Sequence, residues 1–299
     1  MTLSIIIVNW NVKTLLSRLL DSIFKFTPTT IPYEIIVIDN NSSDGSVELL
    51  KTAYSKQIID KKLKIIANDF NAGFAKANNQ GLAAATGDFI VFMNPDMELI
   101  EDSFGKLLTF MNQRQEAAVC CCRLLYEDET TQPTIKNDPT LCSQIFVLLK
   151  LHHFLHRLPC LTKYLAKNFN YNTESEVNQA MGAFLMFRKE TIKTLRGWDE
   201  DFWLWWEDLD LCRRARKNGA KLLYTPTTQI IHYEGRSFAQ TFGLAKQKRF
   251  NRGMLLYFKK HHSRAAYLFL SALQPISFLL TLLTQLLKIK PRTQSTITK

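Results

Sequence analysis

The stretch Glu34–Ser46, EIIVIDNNSSDGS, decides the fold. Four of its first five residues are β-branched and apolar. They lack the alternation of a half-wet strand, and so predict a strand buried on both faces. Asn40 to Gly45 are turn formers. They lead to a helix N-cap ahead of Val47-Glu48-Leu49-Leu50. Strand, polar turn and helix make the opening of a βαβ unit.

The same grammar repeats around it. Ser4–Val8, Leu63–Ala67 and Phe89–Met93 are short apolar runs that read as buried strands. Thr14–Phe26, Ser46–Tyr54 and Phe74–Ala85 read as helices between them. The expected fold is α/β: a Rossmann-like, mostly parallel central sheet with helices on both faces. The four strands end in Asn9-Trp10-Asn11, Asp39-Asn40-Asn41, Asn68-Asp69 and Asn94-Pro95-Asp96. Open parallel sheets bind ligands at their carboxyl edge. Asn and Asp after one strand are ordinary turn chemistry; after four in succession they point to a site. No GxGxxG follows the first strand, which argues against a dinucleotide enzyme. Asn71-Ala72-Gly73-Phe74-Ala75 is a second cap-like turn, where glycine permits close backbone approach and the helix start offers free N–H groups to an anion.

The chain has 299 residues, 46% hydrophobic and 22% charged, so it is globular rather than disordered. A net charge of +11 implies an anionic partner: nucleic acid, a phosphorylated small molecule or an acidic membrane surface. Cys120, Cys121 and Cys122 are adjacent, which suits neither a disulfide framework nor a metal knuckle. Reduced, buried thiols of a cytosolic protein are expected. MTLSIIIVNWNVK lacks a basic n-region and a cleavage site, so a strand is expected there rather than a signal peptide. Ala265–Leu287 carries no charge and is near bilayer length, with basic residues on both flanks. Gln274, Pro275 and Gln285 weaken a spanning helix; an apolar helical segment lying in the plane of an anionic leaflet fits as well as one packed on the protein.

The second half is less periodic. Glu98–Arg114 reads as a helix, residues 126–178 as an insertion on the acceptor side, Ala180–Phe187 as a strand and Lys189–Leu195 as a helix. Then comes WLWWEDLDLC, Trp203 to Cys212. On a helix over Leu204–Lys217, Leu204, Asp208, Leu211, Cys212 and Ala215 share one stripe. Asp208 is the carboxylate on that apolar stripe, Glu207 lies on its shoulder, and Asp210 faces Arg213 and Arg214 as an ion-paired helix acid turned outward. An acid on a buried face is unfavourable unless it is paired or functional.

Seven segments in order resemble family 2 glycosyltransferases of the GT-A fold, in particular the rhamnosyltransferase-like branch of bacterial surface polysaccharide synthesis. They are SIIIVNWN, EIIVIDNNSSDGS, NAGFAKANNQGL, FIVFMNPD, AMGAFLMFRKE, GWDEDFWLWWEDLDLCRRARKNG and IIHYEGRS, spanning Ser4 to Ser237. The resemblance implies an inverting transferase that takes a sugar from a nucleotide-diphosphate donor. It implies nucleoside contacts at Val8, Asn9 and Asp39, within a nucleotide-sugar site that also includes Asn11, Asn41, Asn71, Gly73, Phe74, Asn78, Asn94 and Asp96. It implies Mg2+ or Mn2+ on the diphosphate at Asp96, with His232 beside it. Asn94 stands where a fuller DxD site has its first acid, leaving one carboxylate, which suffices for a hard cation that keeps its waters. Arg236 and Ser237 could touch phosphate. The ED pair implies a base, Asp208, with Glu207 as alternate. Trp198 is expected in the core, and at least one of Trp203, Trp205 and Trp206 against a glycan or lipid-linked acceptor.

The expected division is 1–115 for the nucleotide-sugar half, 116–240 for the acceptor and catalytic half, and 241–299 for a basic helix and the membrane-associating segment. The expected location is cytoplasmic and peripheral on the inner membrane face, with no nucleic-acid partner. Two other classes fit less well. A sugar nucleotidyltransferase would carry a Gly-rich, basic loop after the first strand. A non-catalytic basic membrane- or nucleic-acid-binding protein explains the charge but not the polar strand ends.

Overall fold

The computed structural model describes residues 1–155, 157–233 and 243–286. Strand β1 (Leu3–Asn9) is buried at every residue: it has a partner on each edge, Ile5–Val8 are apolar, and Ser4 and Asn9 are hydrogen-bonded to Glu34 and Asp39. Helix α1 (Lys13–Phe26) leads to β2 (Tyr33–Asp39), then α2 (Ser46–Ala53), α3 (Ser55–Ile59), β3 (Leu63–Ala67), α4 (Phe74–Ala84) and β4 (Phe89–Met93). The neighbours β3-β2-β1-β4 are all parallel and in register, with Asn9 opposite Asp39. Helix α4 lies close on the sheet because it is small-sided. A Cβ on Gly81 would sit 2.4 Å from Ile6 and 2.8 Å from Ile38.

The remaining strands mix directions. After β5 (Met97–Leu99), α5 (Ser103–Gln113) and β6 (Ala117–Leu125) come β7 (Ile135–Lys136), α6 (Leu141–Leu148) and α7 (Pro159–Tyr164). Then follow β8 (Ser175–Glu176), β9 (Gln179–Ala180), β10 (Phe184–Arg188), α8 (Lys189–Thr194), α9 (Glu207–Lys217) and β11 (Lys221–His232). The full order is β3-β2-β1-β4-β10-β6-β11-β5, with β8 on β11; β7 and β9 form a separate pair. Strand β10 runs antiparallel to β4 and β6, while β11 is parallel to β6 and antiparallel to β5. The expected α/β sheet with helices is therefore present, and its second half is mixed.

Several boundaries differ from expectation. Residues 97–99 pair with the end of β11 instead of starting a helix; α5 begins only where Asp102 caps Gly105 N–H. The run Ala180–Phe187 is two strands, broken by a turn at Met181–Ala183. Gln229–Ile231 is the end of a twelve-residue strand. The three cysteines form the middle of β6, and their thiols are buried, as is Cys212; Cys142 and Cys160 are not, against the expectation. Residues 126–178 hold α6, α7 and short strands. The apolar C-terminal segment is two helices, α11 (Arg264–Ala272) and α12 (Gln274–Leu286), packed on the long α10 (Gly243–His261). Pro275 explains the break. Leu287, Lys288, Lys290, Arg292, Arg236 and Ser237 lie outside the described residues.

Candidate active site

The turns after β1, β2 and β3 interlock. Asn9 Nδ2 donates to Asp39 Oδ1 (2.7 Å) and Ser42 Oγ (3.1 Å), and Ser42 N–H donates to Asp39 Oδ2 (2.8 Å). Asn11 Oδ1 accepts from Ser43 N–H (2.7 Å). Asn40, passed over as a site residue in the sequence, is the hub of the next layer. Its amide donates to Gly73 C=O, and its oxygen accepts from Asn68 and Ala72 N–H. Val8 and Asn9 are buried at the edge, whereas Asn41 is exposed with a left-handed backbone. Asn71 Oδ1 turns the chain by accepting Gly73 N–H (3.0 Å). Asn78 is buried and donates back to Phe74 C=O, so its amide belongs to its own helix.

Gly73 joins this edge to the tryptophan segment. Its φ is +86°, and a Cβ there would lie 2.6 Å from the Trp203 ring. Phe74 N–H also donates to Trp203 C=O (2.9 Å). Arg249 of α10 stacks over Trp203 at 4.4 Å, and Lys246 over Trp205 at 5.8 Å. Trp203 and Trp205 are part-exposed. Trp206, expected with them as an acceptor contact, is instead buried against Phe250 and Tyr257. Trp198 sits in the core, edge-on to Phe74 and Phe92.

Asp96 and His232 meet in a dry corner. They are 2% and 3% exposed, and His232 Nε2 lies 3.4 Å from Asp96 Oδ1. The other ring nitrogen, Nδ1, is 2.8 Å from Gln132 Oε1. A carbonyl oxygen can only accept, so Nδ1 donates to Gln132, and Nε2 is the ring nitrogen turned to Asp96. Neither Nε2 nor Asp96 Oδ1 has a hydrogen-bond partner. A carboxylate oxygen and an imidazole nitrogen, buried side by side without hydrogen-bond partners, are ligand types that a divalent cation takes. Among the described residues no group of three or more His, Cys, Asp or Glu converges, so these two side chains would share a metal with phosphate and water oxygens. Gln132 comes from the insertion, a hundred residues from His232, and no sequence signal marks it.

Helix α9 begins at Glu207, not Leu204, because Trp205 and Trp206 take left-handed backbones (φ 64° and 75°). Such φ values are strained for bulky residues. They re-aim the first turn of α9. Asp208 is partly buried; its Oδ2 accepts from Gly182 N–H (3.0 Å) and its Oδ1 from Leu209 N–H (2.8 Å). Ala183 C=O in the same turn accepts Asn94 N–H (2.9 Å), and Asp96 C=O accepts Tyr233 N–H (2.8 Å). Asp208, Asn94, Asp96 and the residue after His232 are thus tied through one short chain of backbone contacts. Burial raises the Asp208 carboxyl despite its two N–H donors.

Glu207 is not on a shoulder. It is 5% exposed, its Oε2 has no partner, and burial together with the Asp208 charge pushes it up to about 8. Asp210 is ion-paired with Arg214 as expected, but it is buried rather than turned outward. It is 1% exposed, with Arg214 Nε at 2.6 Å and His261 Nε2 at 2.7 Å. Burial alone would raise its carboxyl; those two partners outweigh it and hold it below the usual range. Arg213 pairs elsewhere, with Tyr257 and His261 C=O.

The model for Glycosyl transferase family 2 matches residues 4–195, and one described as the N-terminal domain of galactosyltransferase matches residues 163–235. The chain is 26% identical over 231 residues to the O-antigen biosynthesis protein RfbC of Myxococcus xanthus, covering 75% of itself but only 16% of that much longer protein. It is 23% identical over 220 residues to the N-acetylglucosaminyl-diphospho-decaprenol L-rhamnosyltransferase of Mycobacterium tuberculosis, covering 70% of itself and 69% of the relative. Among solved structures, the mannosyltransferase PcManGT from Pyrobaculum calidifontis, in complex with GDP-Man and Mn2+, superposes with a TM-score of 0.57. That match is 16% identical and covers 99% of this chain and 77% of the other, a likeness of fold.

Proposed function

Because the chain belongs to glycosyl transferase family 2, we propose that it moves a sugar, rhamnose first among the candidates, from a nucleotide-diphosphate donor to a glycan or lipid-linked acceptor with inversion. The observation that carries this reading is the tie, through the Gly182-Ala183 turn, between the Asp208 carboxylate and the Asn94–Asp96 corner. A dry Asp96–His232 pair for a cation and a carboxylate held by backbone N–H groups are what a single displacement needs on its two sides.

The nucleoside rests on the β1 and β2 turns at Val8, Asn9, Asn11, Asp39 and Asn41. The sugar diphosphate runs past Asn71, Gly73 and Phe74 toward Asn94 and Asp96. Asp96 and His232 would hold Mg2+ or Mn2+, which when bound supplies positive charge to the departing diphosphate. Asp208 removes the acceptor hydroxyl proton as the new oxygen–carbon bond forms and the bond to the diphosphate breaks. Proton transfer of this kind contributes on the order of 10²–10⁴-fold. Glu207, protonated near neutral pH, leaves the negative charge on Asp208. Trp203 and Trp205 offer ring faces to the acceptor.

On this reading residues 1–115 serve the donor, 116–240 the acceptor and catalysis, and 241–299 the inner face of the cell membrane, where the enzyme works peripherally in the cytoplasm. Neither a nucleotidyltransferase nor a non-catalytic basic protein accounts for the family match. A screen of nucleotide-sugars, with Mg2+, Mn2+ or chelator, tests the proposal. It expects metal-dependent release of nucleoside diphosphate with one donor, dTDP-rhamnose first. Release that survives chelation would remove the metal role, and no turnover of any donor with a suitable acceptor would remove the activity.

A further inference from the structure

The last described helix, α12, is polar on the wrong side for water, and α11 before it buries Ala266 and Leu270 while leaving further apolar side chains outside. Along α11 and α12, Leu268, Phe269, Ile276, Leu279, Leu283 and Leu286 are all exposed, at i, i+3 and i+4 spacing that continues across the Pro275 break. The inward face of α12 carries Ser277 and Thr281, both buried. Ser277 Oγ accepts from Asn251 of α10 (3.4 Å), and Thr281 Oγ1 donates to Gln247 (3.3 Å). A helix on a water-soluble protein shows the reverse pattern. This one puts its hydrogen-bonding side on the protein and its apolar side outward, as a helix facing hydrocarbon does.

A second apolar group stands nearby in the chain packing. Helix α6 packs against α11 and runs into a turn where Phe154 is 79% exposed, with Leu151 and Leu155 also exposed. Charge identifies the occupant. Residues 235–299 contain 12 Lys and Arg and no Asp or Glu, while residues 1–234 hold 26 basic and 27 acidic side chains. The whole positive excess therefore lies in the region that carries the apolar stripe. A second copy of the chain would bring the same cations onto themselves; an anionic lipid surface neutralises them.

We propose that the α11–α12 stripe lies in the plane of an anionic bilayer, with Phe154 as a second anchor. This deepens the membrane contact of the reading above and rests on it. The helix does not cross: although Arg264–Leu286 is long and apolar enough to span, its polar side stays bonded to α10.

Flotation of the full chain with vesicles of phosphatidylcholine, with and without phosphatidylglycerol, tests this. The wild type should float only with the anionic vesicles and be released by alkaline carbonate. Leu279→Ser/Leu283→Ser should bind about tenfold more weakly, and Phe154→Ser should bind measurably more weakly, with unchanged melting and donor affinity. Equal binding by wild type and the double variant, resistance to carbonate, or a dimer that the double variant dissolves without vesicle binding would each overturn it. Nucleotide-sugar turnover with a water-soluble acceptor, measured alongside, separates the claims. If vesicle binding fails while turnover persists, only the docking falls; if turnover fails while binding holds, only the transferase reading falls.

Discussion

Glu207 and Asp208 are adjacent in sequence and differ in what surrounds their oxygens. Asp208 accepts two backbone N–H groups, whereas Glu207 Oε2 has no partner in a buried position. Glu207 therefore keeps its proton up to about 8 in the folded protein, against an ordinary 4.5. Between those values the folded chain binds a proton that the unfolded chain releases. Stability then falls as pH rises from about 4.5 to about 8. Glu207→Gln keeps the side chain neutral and should flatten that decline. Melting temperatures measured from acidic to mildly alkaline pH should converge at low pH, with the variant higher at high pH. Parallel curves would contradict the buried, protonated Glu207.

At the scale of elements, the active-site edge depends on where two small residues let chains touch. A Cβ on Gly182 would lie 2.9 Å from the Asp208 Cβ, so Gly182→Ala must push Asp208 or its turn aside. A displacement near 1 Å at a reacting group costs on the order of 10²-fold in rate. Gly182→Ala should lose about that in kcat while donor affinity stays near wild type; an unchanged kcat would contradict this placement of Asp208. Gly73→Ala meets both a positive φ and the Trp203 ring, and should destabilise the chain by roughly 1–3 kcal/mol, as strain of this kind does. Chemical denaturation checks it.

These elements also mark what the sequence made legible. The four parallel strands and the acids at their ends were readable because buried strands are uninterrupted apolar runs followed by turn formers. Strand β6 was not: Cys120–Cys122 read as buried thiols, but a run of three cysteines ending in Arg123 lacks the β-branched apolar residues that mark a strand. The start of α9 was misplaced because left-handed backbone at Trp205 and Trp206 leaves no mark on apolar periodicity. Asp210 read as paired outward, with Arg214 foreseen but not burial, because its second partner His261 is 51 residues away.

At the scale of the whole molecule, the Asp96–His232 corner is built from parts far apart in the chain. Asp96 follows β4, His232 ends β11, and Gln132 lies in the insertion, between β6 and β7. The sheet brings them together because β11 runs antiparallel to β5, with His232 opposite Met97. Gln132→Ala should leave His232 free to turn and weaken Mn2+ binding by about 10–100-fold, the usual effect of losing a partner that orients a ligand. Titration calorimetry with Mn2+ and nucleoside diphosphate reads this directly; unchanged affinity would take Gln132 out of the site. The central claim joins that corner to Asp208 across the transferred sugar. It is tested most directly by Asp208→Asn, assayed for acceptor-dependent transfer alongside calorimetric donor binding. The account predicts transfer lower by on the order of 10²–10⁴-fold with donor affinity intact; near-normal transfer by the variant would contradict it.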